Sequence, residues 1–212
     1  MQPGASSHPI EFDVDFPDRP LNRVSSAFRA VWAVPILVIL AVLSGPVLES
    51  GSDRGGIFAG GLAGGILVLP PLLMIVFRQK YPRWWFDFNL AYLQFDNRVV
   101  AYLLLLRDDY PSTDEQQAVH LRVPYPDVPT DLNRWMPLVK WFLAMPHYIV
   151  LLFVGVAVLV CTVVAWFAIL FTGRYPRSLF DFTVGVMRWH NRVIAYAFTL
   201  VTDRYPPFRL AA

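Results

Sequence analysis

Apolar and polar positions change period several times along the chain. Ile10, Phe12, Val14 and Phe16 alternate with Glu11, Asp13 and Asp15, and Val119, Leu121, Val123 and Tyr125 alternate with His120, Arg122 and Pro124. Period two predicts two short strands, each with one buried face. One polar face is acidic and the other partly basic, so the strands are expected to pair with each other, because opposite charges across a pair help.

Between and beyond these strands the polar residues almost vanish. Residues 28–48 and 57–77 are two mostly apolar runs of 21 residues, joined by Glu49, Asp53 and Arg54. A helix crossing about 30 Å of hydrocarbon needs about 20 residues. The pair therefore reads as a transmembrane hairpin, with kinks at Pro35, Pro70 and Pro71. Residues 138–171 are apolar except for Lys140, with no polar turn. One straight helix of that length would be about 51 Å long. It reads either as one crossing after a segment that bends at Pro146, or as a tight or re-entrant hairpin around Gly155.

The runs are followed by segments of mixed character that repeat. YPRWWFDFNLAYLQFDNRVVAY (81–102) and YPRSLFDFTVGVMRWHNRVIAY (175–196) share Tyr-Pro-Arg, Phe-Asp-Phe, Asn-Arg-Val and Ala-Tyr at an offset of 94. Upstream, Asn22-Arg23 answers Asn133-Arg134 and Ala33-Val34-Pro35 answers Ala144-Met145-Pro146, at an offset of 111. The extra 17 residues of the first copy fall within 44–61. The expected organisation is a loose tail (1–9), a first membrane repeat (10–111), a linker (112–118) and a second membrane repeat (119–208). The expected fold is mainly α and integral to a membrane. It comprises two tandem repeats, each a transmembrane or re-entrant hairpin plus an amphipathic interfacial helix, with short β-strand lead-ins.

In the mixed segments Asp87, Ala91, Gln94 and Arg98 share one helical stripe, and Asp181, Gly185, Arg188 and Arg192 share its counterpart. Both segments are expected to lie in the interface with Phe, Trp and Leu toward lipid or the bundle. Each Tyr-Pro can turn the chain into its helix, since Pro disfavours helix before it and suits the first turn after it. Arg83 and Arg177 then sit at headgroup level, paired at (i, i+4) with Asp87 and Asp181. Arg83, Arg98, Arg177, Arg188 and Arg192 are the candidates for binding anionic phosphates. Gly56, Gly60 and Gly64 are candidates for close helix packing.

Composition agrees with a membrane protein. The chain is 56% hydrophobic and 16% charged, with a mean hydropathy of +0.44 and seven Trp, whereas soluble domains carry about 25% charged residues. The net charge of +2 offers no dense basic block, so nucleic acid is not an expected partner. The single Cys161 excludes an intrachain disulfide. His8, His120, His147 and His190 lack ligand spacing, so neither metal nor cofactor is expected, and no catalytic set stands out. The first residues lack the charged and apolar regions of a secretory leader. With both copies as hairpins, 17 of the 18 Lys and Arg fall on one side. The positive-inside rule then favours hairpins, with both termini cytoplasmic.

Tyr125-Pro126, WFLAMPHY (141–148), WFAILFTGRYPRSLFD (166–181), Arg188-Trp189, NRVIAY (191–196) and TDRYPPF (202–208) resemble the bacterial family named domain of unknown function 4389. The first copy resembles it more loosely, with Arg78-Gln79-Lys80 where Phe-Thr-Gly would precede Tyr81. The resemblance implies tandem copies in the inner membrane of a bacterial cell and brings no catalytic residues. The leading expectation is a non-enzymatic scaffold or accessory subunit with a basic interfacial surface for anionic lipid headgroups. Its partners would be membrane lipids, a second copy or another membrane protein. A small transporter or channel between the repeats is the alternative. An enzyme using Asp87 and Asp181 ranks third.

Overall fold

A computed structural model of the chain describes residues 8–44, 68–113, 115 and 117–211. In chain order the elements are β1 (Glu11–Val14), α1 (Arg23–Ala27), α2 (Arg29–Trp32), α3 (Val34–Ser44), α4 (Val68–Arg78), α5 (Arg83–Leu103), β2 (Val119–Arg122), α6 (Val128–Asp131), α7 (Met136–Leu143), α8 (Met145–Thr172) and α9 (Arg177–Ala197). The described structure is mainly helical, and the helix running through α7 and α8 is long and apolar enough to cross a membrane.

The two alternating segments form an antiparallel pair with Glu11 opposite Arg122, Phe12 opposite Leu121 and Asp13 opposite His120. Phe12, Val14, Val119 and Leu121 face the core, while the charged positions face out. Opposite charges thus meet at Glu11/Arg122, and His120 Nε2 lies 3.0 Å from Asp15 Oδ2.

Beneath this pair lie α5 and α9. They meet at a reciprocal amide pair: Asn97 Nδ2 donates to Asn191 Oδ1 (2.8 Å) and Asn191 Nδ2 to Asn97 Oδ1 (2.7 Å). Both helices send their polar stripes to the strands. Gln94 Nε2 donates to Leu121 O, and Arg188 Nε donates to Phe12 O. The opposite sides are apolar. Phe95, Val99 and Tyr102 of α5 pack on Ala33 and Ile36, and Trp189, Val193 and Tyr196 of α9 pack on Ala144, Tyr148 and Leu151. Five residues turn a helix by roughly 140°, which puts Arg188 and Val193 on opposing sides. The order is therefore strands, then α5 and α9, then the apolar helices.

Residues 138–171 do not reverse at Gly155. The chain bends once, at Ala144, and α8 then runs unbroken for 28 residues, about 42 Å. The hairpin favoured by the positive-inside rule is corrected here. An apolar run without a turn-forming residue has no reason to break its backbone hydrogen bonds, and the lone Gly155 is accommodated within the helix. Gly173, in the left-handed conformation at φ 73°, ends α8, and its N–H donates to Ile169 O (2.7 Å). The first run, 28–48, is also not one straight helix, since it bends at Phe28 and Ala33. The expected turn of the first hairpin, and Gly56, Gly60 and Gly64, lie outside the described residues.

Candidate functional site

Two turns carry the repeated Tyr-Pro-Arg. At each, Pro is the N-cap with extended backbone, at ψ 128° for Pro82 and 126° for Pro176, and the Arg opens the helix. The side chains then interlock across the molecule. Arg83 pairs with Asp87 (3.4 Å) and stacks over Tyr125, 4.7 Å from the ring centre. Arg177 pairs with Asp181 (3.0 Å) and stacks over Phe16 at 4.6 Å. Behind them Phe86 meets Tyr125 edge-on, and Phe180 meets Phe16. Tyr125 donates its hydroxyl to Tyr81 O, and the buried Tyr81 donates to Thr199 O at 2.9 Å. Burial pushes the Tyr81 phenol up to about 12, so it stays a donor.

Arg83 and Arg177 are 69% and 65% exposed, and their Asp partners are exposed too. Exposed Phe77 and Trp84 flank the first turn, and exposed Phe171 precedes the second. A guanidinium beside open aromatic rings suits the boundary between water and hydrocarbon. Four of the candidate residues thus remain open to a ligand: Arg83, Asp87, Arg177 and Asp181.

The other three arginines bond within the protein. Arg98 donates to Ser112 O (2.7 Å). Arg188 bonds Phe12 O, Leu210 O and Asp13. Arg192 is 1% exposed and donates to Arg209 O and Ala211 O. A phosphate could reach Arg192 only if the C-terminal segment lifted away. Arg188 and Arg192 of the stripe thus meet carbonyls of β1 and the C-terminal segment.

An open cleft of about 760 Å³ lies beside Arg177, where Arg107, Arg177 and Arg188 face Asp13, Asp15, Asp18 and Asp181. With more carboxylates than guanidiniums it does not suit a bare anion. Sequence reasoning had no signal for this cleft, because its residues come from three distant segments.

Two buried cations also escaped it. Arg29 pairs with Asp108 and stacks over Tyr102. Lys140 pairs with Asp203 (2.7 Å), donates to Thr202 O and lies over Tyr196. Their signal was available, since Arg29 and Lys140 stand at the offset of 111 that relates their surroundings. The same carboxylates cap chain turns by accepting from Asn22 N and Asn133 N, both at 2.6 Å. These cations are fixed by structure and face no open site.

Among the described residues no group of three or more His, Cys, Asp or Glu could hold a metal ion. Asp87 and Asp181 each form an ion pair with the Arg four residues before, an arrangement that anchors a helix start. No curated protein and no solved structure matches the chain. Residues 134–209, from just before α7 through α9 to the C-terminal segment, match the family model described as Domain of unknown function (DUF4389).

Proposed function

We propose that the protein is a membrane-embedded, non-enzymatic scaffold or accessory subunit that meets anionic lipid headgroups through its exposed arginines. The observation that carries this reading is the outer face of α8. Ile149, Phe153, Val156, Val160, Val163 and Phe167 are all exposed, and nothing polar interrupts them. Soluble proteins rarely leave contiguous apolar patches larger than a few hundred Å². Arg177 and Arg83 stand open near the helix ends. Arginine suits phosphate because its planar fork donates two bonds at once.

Two tandem copies of one unit are part of this proposal. Supporting it, positions 94 residues apart make matching contacts at Asn97/Asn191, Arg83/Arg177 and Gln94/Arg188. The proposed location is the inner membrane of a bacterial cell, with both termini cytoplasmic. A transporter has less support, because the meeting point of the proposed repeats is filled by the Asn97–Asn191 pair and not by a polar passage.

The test is native mass spectrometry in micelles of mixed lipid. The full chain should retain anionic in preference to zwitterionic lipid, and R83A/R177A should lose that preference. Equal retention of both lipids by the wild-type chain would remove the headgroup part of the proposal.

A further inference from the structure

We propose that α8 and the elements packed on it lie in a single leaflet, with α8 parallel to the membrane plane, so that α8 does not cross the bilayer. This rests on the membrane reading above and deepens it. The argument is geometric. α9 begins four residues after α8 ends, and its last turns pack on the first turns of α8. The two helices are thus antiparallel neighbours, and the middle of α9 lies beside the middle of α8. At that level Arg188 reaches across to β1, bonding Phe12 O and Asp13. Asp13 is 70% exposed there, and Glu11 is exposed as well.

Stand α8 upright in a bilayer, and this strand layer goes with it. Glu11 and Asp13, open to the surroundings, would then lie near the hydrocarbon midplane, where ionised side chains are costly. Lay α8 flat, and Glu11 and Asp13 face water. The face toward lipid holds Ile149 to Phe167, and the strand layer is the face farthest from it. Exposed Trp135 and Trp141 stand at the start of this helix, and tryptophan favours the headgroup boundary. The length fits as well: about 42 Å is too long for a simple crossing of about 30 Å but unrestricted in the plane.

The first half of the chain has the matching face. Val34, Val38, Leu69, Leu73 and Phe77 are exposed on α3 and α4, while Ala33, Ile36 and Ile75 are buried as Ala144, His147 and Ile169 are. Acyl chains are the occupant these faces suit, rather than a second copy. The exposed positions of α8 wrap well past half its circumference. Fluid chains cover a convex ridge, whereas a protein partner covers one stripe and leaves a polar rim.

The experiment places one thiol at a time on that ridge: I149C, V156C, V160C and F167C, each with C161A. Each variant of the full chain is labelled with bimane and reconstituted in vesicles of phosphatidylcholine and phosphatidylglycerol. The vesicles carry nitroxide lipid labelled either near the headgroup or near the chain end. All four positions should be quenched more by the shallow nitroxide, with the same shallow-to-deep ratio. A ratio that dips at Val156 and Val160, with the ends labelled from opposite sides, would overturn the single-leaflet proposal and leave the membrane reading intact. No quenching by either lipid would overturn both. No quenching together with bimane self-contact between copies would mean that a second copy covers the ridge.

Discussion

Replacing Asn97 by Ala removes half of the only reciprocal side-chain pair between α5 and α9 among the described residues. Each amide is 3–5% exposed and fully used. One N–H of Asn97 donates to Leu93 O (2.8 Å) and one to Asn191, while Asn191 donates to Met187 O (2.9 Å) and to Asn97. Asn97→Ala therefore strands one donor and one acceptor of Asn191 in the interior. Each stranded buried group costs about 1–3 kcal/mol, so a loss of about 3 kcal/mol is expected. Asn191→Ala should cost the same, because its surroundings match. The double variant strands nothing and should cost no more than either single change, about 3 kcal/mol. That leaves a coupling of about 3 kcal/mol in a double-mutant cycle. Urea unfolding in detergent micelles, followed by tryptophan fluorescence, measures all four corners of the cycle. Single effects that add to the double within about 0.5 kcal/mol would refute the reasoning, since the amides would then not be bonded to each other.

Other predictions concern the buried charges and one close approach. Asp203→Ala leaves the fully buried Lys140 without its carboxylate and should cost about 3–5 kcal/mol by the same unfolding assay; adding Lys140→Met should recover most of it. Burial pulls His8 down to about 4 and pushes Asp96 up to about 6. As pH falls from about 6.5 to 4 the unfolded chain gains a proton at His8 that the folded one refuses, so stability drops by up to about 3 kcal/mol. Over about 6 to 4 the folded chain binds a proton at Asp96 while the unfolded carboxylate stays charged, so that contribution rises by a similar amount. Burial also lowers His147 and His190, so wild-type stability should fall as pH drops from about 7 to 4; Asp96→Asn should steepen that fall and His8→Gln should lessen it in pH-dependent unfolding curves. A Cβ on Gly185 would lie 2.9 Å from Leu210 Cβ, so Gly185→Ala should lower stability by about 1–3 kcal/mol and raise hydrogen exchange over residues 206–211.

Much of this arrangement was legible in particular residues. Alternation at 10–16 and 119–125 gave the strands, and their opposite charges gave the partner. The offset of 94 picked out Asn97 and Asn191, though only as matching letters, because a repeat says which positions are equivalent and not that they touch. The stripe Asp181, Gly185, Arg188 and Arg192 was found from periodicity. Its destination was hidden, since a polar face can be covered by water, headgroups or, as here, by strand carbonyls contributed from far away in the chain. The continuity of α8 was misjudged because the positive-inside rule was applied to crossings. A chain that keeps its charges on one side without crossing satisfies the same rule. Arg29 and Lys140 were passed over because they differ in type, although each stands at an equivalent position with an Asp and a Tyr.

The most direct test of the central claim, that the apolar ridge of α8 is held by lipid, is vesicle flotation of the full chain after cell-free synthesis in the presence of liposomes. The chain should rise with the vesicles through an alkaline carbonate gradient and leave them only when detergent is added. A chain that stays in the dense fraction as a dispersed soluble protein would contradict the account.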